Sequence, residues 1–338
     1  MWGIVRWILF RLDAELAHRI TLALIRAGIW MGNWPLRIVS GSFSQTPANE
    51  LPEVFGMRFL SRVGLAAGFD KNAEILAGLP ALGFGFAEIG TVTPRPQPGN
   101  EIPRLFRDPK SQSVFNRMGF NNLGATLVAK RVETAKPCLP ANFRVGINLG
   151  KNKDTPLDQA ASDYVTAARP FEGLADYLVI NVSSPNTPGL RSLQSVEALR
   201  PIVSDVSNLV SGWKKRPPLL LKLAPEISGE ELASLMTSIT SWKAIDGWVL
   251  TNTLAGIRDG MTGGWSGGVL TEKSRERLGE ARAAVAAPIL SVGGILTLDE
   301  AKRRIQEGAD LIQLYTGWLY QGPCFPGRVG RELRKESK

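Results

Sequence analysis

The chain has 338 residues, of which 44% are hydrophobic and 21% charged, and its formal net charge is +9. This composition is typical of a globular protein, and the length fits one large domain with an appendage or two domains of ordinary size. Two cysteines and one histidine are too few for a disulfide framework, a four-cysteine zinc or iron–sulfur site, or a multi-histidine metal site within the chain. The sequence therefore predicts no resident metal.

The positive charge is compatible with three partners: nucleic acid, an anionic membrane surface or small anionic ligands. The densest basic clusters are residues 214–216 and the C-terminal segment 327–338. Both are typical of solvated helix ends or tails, and no base-stacking module accompanies them. We therefore expect no nucleic-acid partner.

Residues 1–45 differ from the rest of the chain, with five arginines, no lysine, two acidic residues and four of the nine tryptophans. The apolar run 1–12 is interrupted by Arg6 and Arg11, and it is shorter than the roughly 20 residues that a membrane span needs. These internal charges, with no small-residue cleavage motif after them, also make a poor signal peptide.

A second helix is predicted after Asp13, a residue suited to an N-cap, and it is expected to end near Gly28. Apolar residues recur along it at helical spacing, namely Leu16, Ile20, Ala23, Leu24 and Ala27. Tryptophan and arginine on short amphipathic helices favour a segment lying in the membrane interface, and the alternative is a helical hairpin packed on the protein's own core. We predict an N-terminal membrane segment over 1–45, a linker over 40–52 and a catalytic domain over 46–338.

Short apolar runs alternate with helix-like stretches throughout the second part. Eight runs are predicted as strands: 63–67, 86–90, 144–149, 177–182, 219–223, 247–250, 288–292 and 311–315. Helices are expected between them, for example over 230–242 and 298–308. Eight such units favour a closed (β/α)8 TIM barrel, and a doubly wound open sheet is the alternative, although no GxGxxG opens its first unit.

Polar residues and glycines follow nearly every predicted strand, and a barrel would bring them to one rim. The glycine turns at 293–294 and 315–317 suit a phosphate group, and the Pro-rich insertion 92–118 is expected to form a lid or hairpin over this rim. Two lysines end predicted strands, Lys71 and Lys222, and each suits either a Schiff-base nucleophile or a counter-charge for an anionic cofactor.

Other chemistries are disfavoured. His18 falls in the N-terminal segment, so a Ser-His-Asp triad on the barrel is not expected. Asp70 is the one clear carboxylate among the strand ends, which argues against a glycosidase pair and a Mg²⁺ cage. Asparagines on the rim favour a polar heterocycle such as an isoalloxazine or a pyrimidine, since an amide offers both donors and an acceptor. These are Asn116, Asn148, Asn181, Asn186 and Asn252.

Longer motifs, spread over nearly the whole chain, resemble those of the dihydroorotate dehydrogenases. The resemblance is specifically to the membrane-associated, quinone-dependent class of that family. The motifs are AAGFDKNAE (66–74), IGTVTPRPQPGN (89–100), NRMGFNNLG (116–124), GINLGKNKDTP (146–156), NVSSPNTPGLR (181–191), TNT (251–253), SVGGI (291–295) and QLYTG (313–317).

The resemblance implies a barrel that binds FMN and oxidises dihydroorotate to orotate in pyrimidine biosynthesis. Ser184 would be the base that takes a proton from substrate C5, while a hydride passes from C6 to flavin N5. A serine needs a hydrogen-bonded route for that proton at neutral pH. Lys71 would lie between flavin and substrate, and Lys222 would face the flavin N1/O2 edge and stabilise the reduced ring.

The resemblance also implies two sets of contacts. The FMN set comprises Ala67, Gly68, Lys71, Thr91, Asn148, Asn181, Lys222, Thr251, Gly267, Gly294, Tyr315 and Thr316. The substrate set comprises Lys71, Asn116, Arg117, Met118, Gly119, Phe120, Asn181, Asn186, Asn252 and Thr253. In this class the N-terminal helices form a tunnel for a membrane quinone, near which His18, Arg107 and Tyr315 would lie, and no iron–sulfur partner is expected. The implied location is peripheral, on the cytoplasmic face of the inner membrane if the source is bacterial.

One segment departs from the family pattern. TNTL is followed by a short AGIRDGM before TGGWSGG, so the loop over 254–262 is expected to be shortened, with Leu254 and Trp265 beside the site. The alternatives that remain are a Schiff-base lysine lyase on the same barrel and a flavin-binding barrel whose turnover is impaired by this loop.

Overall fold

The computed structural model describes residues 2–42, 48–187 and 189–335. Three helices come first: α1 (Trp2–Arg11), α2 (Ala14–Trp30) and α3 (Trp34–Ser40). The strands of the described residues are β1 (Glu53–Val54), β2 (Met57–Arg58), β3 (Val63–Leu65), β4 (Phe86–Val92), β5 (Leu105–Asp108), β6 (Ser113–Asn116), β7 (Arg144–Leu149), β8 (Tyr177–Asn181), β9 (Leu219–Leu223), β10 (Gly247–Leu250), β11 (Leu254–Arg258), β12 (Met261–Gly267), β13 (Ile289–Val292) and β14 (Leu311–Leu314). The later helices are α4 (Ala125–Ala135), α5 (Ala160–Ala168), α6 (Val196–Ser211), α7 (Gly229–Thr240), α8 (Thr271–Ala284), α9 (Leu298–Gln306), α10 (Thr316–Gln321) and α11 (Phe325–Lys335).

The predicted TIM barrel is confirmed. Eight parallel strands close in the order β3-β4-β7-β8-β9-β10-β13-β14, and each coincides with one of the eight predicted runs. These strands are buried on both faces, which is why they read as continuous apolar runs rather than as alternating ones. The helices predicted over 230–242 and 298–308 are α7 and α9.

Aromatic rings fill the lower half of the barrel. A Cβ on Gly64 would lie 2.2 Å from the Phe86 ring, and one on Gly146 would lie 2.0 Å from the Tyr177 ring, so these strand glycines make room for the rings. The β1–β2 hairpin covers this end, and Val54 packs into the same buried cluster. Since this half is closed, open space within the barrel is left at the carboxyl ends of the strands.

The N-terminal helices take the place of a first barrel helix. Short 3-10 turns, Leu76–Gly78 and Pro80–Leu82, stand between β3 and β4, and α2 and α3 pack on them. Ile25 and Leu36 belong to the main core cluster of the barrel. A Cβ on Gly78 would lie 2.9 Å from side-chain atoms of α2 and α3, so the contact is close. The predicted boundary between 45 and 46 and part of the predicted linker, 43–47, lie outside the described residues.

The opposite side of these helices is apolar and exposed. Asp13 caps α2 as predicted, with its carboxylate accepting from the backbone of Glu15 and Leu16, but the helix continues past Gly28 to Trp30. Most of the predicted stripe lies on this exposed side, for example Leu24, which is 64% exposed, whereas Ala17, Ile25 and Gly28 are buried. No helix among the described residues is long and apolar enough to cross a membrane.

A four-stranded antiparallel sheet, in the order β11-β12-β6-β5, covers the rim of the barrel. The insertion 92–118 contributes the β5–β6 hairpin, so the prediction of a hairpin there is confirmed. The segment predicted as a shortened loop, 254–262, is a hairpin as well. Asp259 and Gly260 form its turn, both with positive φ, as Asp-Gly turns between paired strands require.

Candidate active site

The carboxyl ends of the barrel strands and the rim sheet line one partly open pocket. The structure brings together in its walls all of the residues predicted for cofactor, substrate and catalysis except Asn148 and Arg117. Asn148 lies fully buried behind the wall. The Arg117 guanidinium turns away toward the sulfur of Met261 on the rim sheet, at 3.7 Å. Residues far apart in sequence meet here because parallel strands present their carboxyl ends to one rim.

A buried ion pair forms the floor of the pocket. The Lys222 ammonium lies 3.3 Å from Glu88 Oε1, and the side chains are 6% and 0% exposed. Glu88 also accepts from the amides of Asn148, at 2.6 Å, and Gln313, at 2.7 Å. Glu88 was not predicted because it lies within a strand, and Gln313 was quoted only as the first residue of the QLYTG motif, without a role. Glutamate and glutamine in otherwise apolar strands were the available signals.

Amide side chains continue from this floor to the opposite wall. Asn181 donates from Nδ2 to Asn148 Oδ1 and to Thr91 Oγ1, both at 3.0 Å. The side-chain oxygen Oδ1 of Asn181 accepts from the Ser183 hydroxyl at 2.8 Å and from Asn252 Nδ2 at 3.3 Å. Each side-chain amide in this series of hydrogen bonds therefore has one orientation that satisfies its partners, as buried polar groups require.

Ser184 lines the pocket and is 4% exposed. Its hydroxyl oxygen accepts from the backbone N–H of Asn186 at 3.2 Å. A donor at this oxygen stabilises the negative charge that develops there when the hydroxyl loses its proton. Asn186 in turn donates to Asn116 Oδ1 at 2.9 Å, and its own Oδ1 is buried without a partner among the described residues.

Lys71 lines the pocket, and its ammonium donates to Asn121 Oδ1 at 2.7 Å. Burial, and secondarily the charge of Arg104, lower the pKa of Lys71 to about 7, while the Glu15 carboxylate acts in the opposite direction. Arg104 pairs with Glu15 at 2.7 Å, and both side chains are largely buried. Glu15, a residue of α2, thus affects the pKa of a lysine in the pocket wall.

Asp70, the carboxylate noticed in the sequence, has a structural role. It is fully buried and accepts from the backbone N–H groups of Glu74 and Ile75 at 2.7 and 3.0 Å. Burial raises the pKa of Asp70 to about 6. Asp70 shapes the turn after β3 and does not line the pocket.

The glycine turn after β13 packs closely against the first residue of α8. Gly293 and Gly294 have φ of 107° and 73°, and a Cβ on Gly294 would lie 2.3 Å from Thr271 Cα. Their carbonyl groups point away from the pocket wall to bonds with Arg304 at 3.0 Å and Thr271 at 2.8 Å. Arg304 is itself fully buried and paired with Glu300, which fixes the turn from behind.

An aromatic path joins the N-terminal helices to the pocket. The His18 ring on α2 packs edge-on against Phe69, with 4.7 Å between the ring centroids. Phe69 packs in turn against Tyr315, a residue of the pocket wall, with 5.4 Å between the centroids. Burial, with a smaller contribution from the charge of Lys71, lowers the pKa of His18 to about 4, so the imidazole is neutral at physiological pH. Arg107 donates to the carbonyls of Leu9 and Leu12 at 2.8 and 2.7 Å and so ties the rim sheet to the end of α1.

Comparison with known proteins identifies the family. A sequence model described as dihydroorotate dehydrogenase matches residues 51–336. The dihydroorotate dehydrogenase (quinone) of Acidithiobacillus ferrooxidans is 43% identical, over 98% of this chain and 94% of the relative, and that of Thermobifida fusca is 43% identical, over 96% and 89%. The crystal structure of DHODH in complex with ferulenol from Eimeria tenella matches with a TM-score of 0.87 and 33% identity, covering 96% of this chain and 93% of that one.

The resemblance drawn from the motifs is therefore confirmed over nearly the full length, and the similar relatives carry the quinone-linked name. With the family known, the Schiff-base lyase has no support, and Lys222 is already committed to Glu88. The barrel, the rim pocket and these relatives lead to one conclusion: the chain belongs to the dihydroorotate dehydrogenase family and is an enzyme of that family.

Proposed function

We propose that the chain oxidises dihydroorotate to orotate in pyrimidine biosynthesis, with FMN bound in the rim pocket and a membrane quinone as the final electron acceptor. The observation that carries the proposal is the composition of one pocket. It combines a paired cation, oriented amides, a serine, a second lysine and glycine turns in the lining of one pocket.

The residues present fit FMN. Lys222 and the Gln313 side chain lie on the same floor, and no described residue hydrogen-bonds to the buried Gln313 Oε1. A cation beside an unsatisfied acceptor suits a ring edge that carries both C=O and N–H groups. The turn at Gly293 and Gly294 and the hydroxyl of Thr316 would hold the phosphate. When bound, FMN supplies a two-electron acceptor that takes a hydride from the substrate and passes the electrons to a quinone.

The protein's own side chains bind and deprotonate the substrate. Lys71 would hold the carboxylate of dihydroorotate, and the amides of Asn116, Asn186 and Asn252 would pair with the pyrimidine ring edges. Ser184 would receive the proton from C5, helped by the Asn186 N–H at its oxygen. Lys222 would stabilise negative charge on the reduced cofactor.

The N-terminal helices would admit the quinone and hold the enzyme on a membrane. Their exposed apolar side chains include Trp7, Leu24 and Trp30, which are 57%, 64% and 89% exposed. Such residues bind a bilayer interface by burying apolar area. The neutral His18 ring and Tyr315, both in contact with Phe69, would line the way to the flavin. The proposed location is peripheral, on the cytoplasmic face of the inner membrane if the source is bacterial.

Ser184→Ala tests the proposed base. We expect the variant to keep FMN and to lose flavin reduction by dihydroorotate by about 100-fold or more, the usual contribution of a positioned base. The measurement is the rate of anaerobic flavin reduction in a stopped-flow instrument. Ser192→Ala, an exposed serine nearby in the chain, is the control and should reduce at the wild-type rate. Unchanged reduction in Ser184→Ala would remove Ser184 from this role.

The lowered pKa of Lys71 predicts a pH dependence of ligand binding. Below pH 7 the ammonium is charged and attracts the orotate carboxylate, whereas above pH 7 the free enzyme has a neutral amine. The orotate dissociation constant should therefore rise above pH 7, by up to about tenfold per pH unit. Titrations followed by flavin absorbance between pH 6 and 8.5 measure this.

Two variants complete the pH experiment. Lys71→Met should bind orotate weakly and without pH dependence in that range. Lys110→Met changes an exposed lysine of the rim sheet and should keep the wild-type profile. Wild-type affinity that stays constant from pH 6 to 8.5 would contradict the role of Lys71.

Vesicle binding tests the membrane surface. The double variant Leu24→Glu and Trp30→Glu removes two exposed apolar side chains and adds two negative charges. We expect it to lose about 3 kcal/mol of binding, on the order of 100-fold, in co-sedimentation with anionic phospholipid vesicles. Flavin reduction by dihydroorotate should not change. The matched control is Leu127→Glu and Leu157→Glu, exposed by 42% and 39% on the barrel, and equal loss in both doubles would refute the assignment.

A further inference from the structure

Glu88 is a fully buried charged group beside the pocket, and the proposed reaction does not use it. Its carboxylate is inaccessible to solvent within β4. It meets one cation, Lys222, and two amide donors, Asn148 and Gln313, so both of its oxygens are satisfied. A buried carboxylate costs several kcal/mol to desolvate unless such partners are present, which makes its position under a binding site notable.

The carboxylate determines which way the neighbouring amides face. Because Asn148 Nδ2 donates to Glu88, Asn148 Oδ1 must face Thr91 and Asn181, and it accepts from both. Asn181 then presents Oδ1 to the backbone N–H and the hydroxyl of Ser183, the neighbour of Ser184. A carboxylate can only accept hydrogen bonds, so Glu88 sets the direction of the chain from its first bond.

The same carboxylate offsets the charge of Lys222. With Glu88 at 3.3 Å from the ammonium, the pair presents little net charge to a ring bound above it. An isolated ammonium would stabilise a reduced, negatively charged ring much more strongly, since Coulomb energies are large where water is excluded. A neutral partner in place of Glu88 would leave that attraction unopposed.

We propose that Glu88 is a positioning residue that lowers the reduction potential of the bound flavin, by balancing Lys222, and that fixes the amide orientations of the pocket wall. The inference rests on the proposed use of FMN. A lower potential keeps the electrons on the flavin transferable to a quinone, so the residue serves the oxidative half of the cycle.

The test compares Glu88→Gln with wild type in two equilibrium measurements on FMN-loaded protein. These are the two-electron midpoint potential of the flavin and the dissociation constant of its sulfite adduct, which forms more readily as the ring becomes more electron-poor. We expect the reduction equilibrium to shift by about tenfold toward the reduced form, equivalent to about 30 mV, and sulfite to bind about tenfold more tightly. Glu133→Gln, an exposed glutamate on α4, should match wild type in both.

Glu88→Asp keeps the charge but withdraws it by one methylene, and it should fall between wild type and Glu88→Gln in both readouts. Glu88→Asp replaces Glu88→Gln in the test if Glu88→Gln cannot be loaded with FMN. In that case we expect Glu88→Asp to bind sulfite several-fold more tightly than wild type. A lower melting temperature with potential and sulfite constant unchanged in these variants would overturn the inference, because that is the result of a structural role alone. Wild-type protein that binds no FMN would instead refute the proposed function.

Discussion

The pocket depends on a pair of opposite charges buried inside a closed barrel. Lys222 and Glu88 come from β9 and β4, which are not neighbours in the barrel, so their contact crosses its interior. Each charge alone would be costly to desolvate there, and the pair is tolerated because amides satisfy the remaining lone pairs of the carboxylate. The apolar rings beneath, among them Phe86 and Tyr177, exclude water from below. Because these rings exclude water, the electrostatic interactions of Lys222 and Glu88 are stronger than they would be in a hydrated site.

The N-terminal helices take part in the packing of the barrel, and they also carry the surface that we propose binds a membrane. One side of α2 and α3 fills the place of a first barrel helix, and the other exposes leucine and tryptophan. Glu15 on α2 pairs with Arg104 beside Lys71, while Arg107 holds the end of α1 from the rim sheet. If α2 moved when a quinone bound, the Glu15–Arg104 ion pair would move with it, and the electrostatic environment of Lys71 would change. The core-hairpin alternative describes the buried side of this segment, and the exposed side is the one that we propose lies on a membrane.

The sequence was sufficient for the barrel because continuous apolar runs bounded by turns are the mark of strands buried on both faces. It was sufficient for most of the pocket because parallel strands bring their carboxyl ends together, so residues such as Asn181 and Lys222 could be grouped without coordinates. Glu88 was missed since it interrupts a strand, and only the closed barrel shows that Lys222 lies opposite. The ion pair of Glu15 with Arg104 joins residues 89 positions apart, which no local pattern reveals. The hairpin over 254–267 carried an Asp-Gly turn signal that was interpreted as a shortened loop.

In the proposed reaction, electrons enter the pocket from dihydroorotate and leave it through the N-terminal helices. Anaerobic absorption spectra of the FMN-loaded protein on phospholipid vesicles measure both halves in one cuvette. Dihydroorotate should bleach the visible flavin band, and a ubiquinone added afterwards should restore it without oxygen. A flavin band that dihydroorotate leaves unchanged, or one that bleaches and is not restored by quinone, would contradict the account.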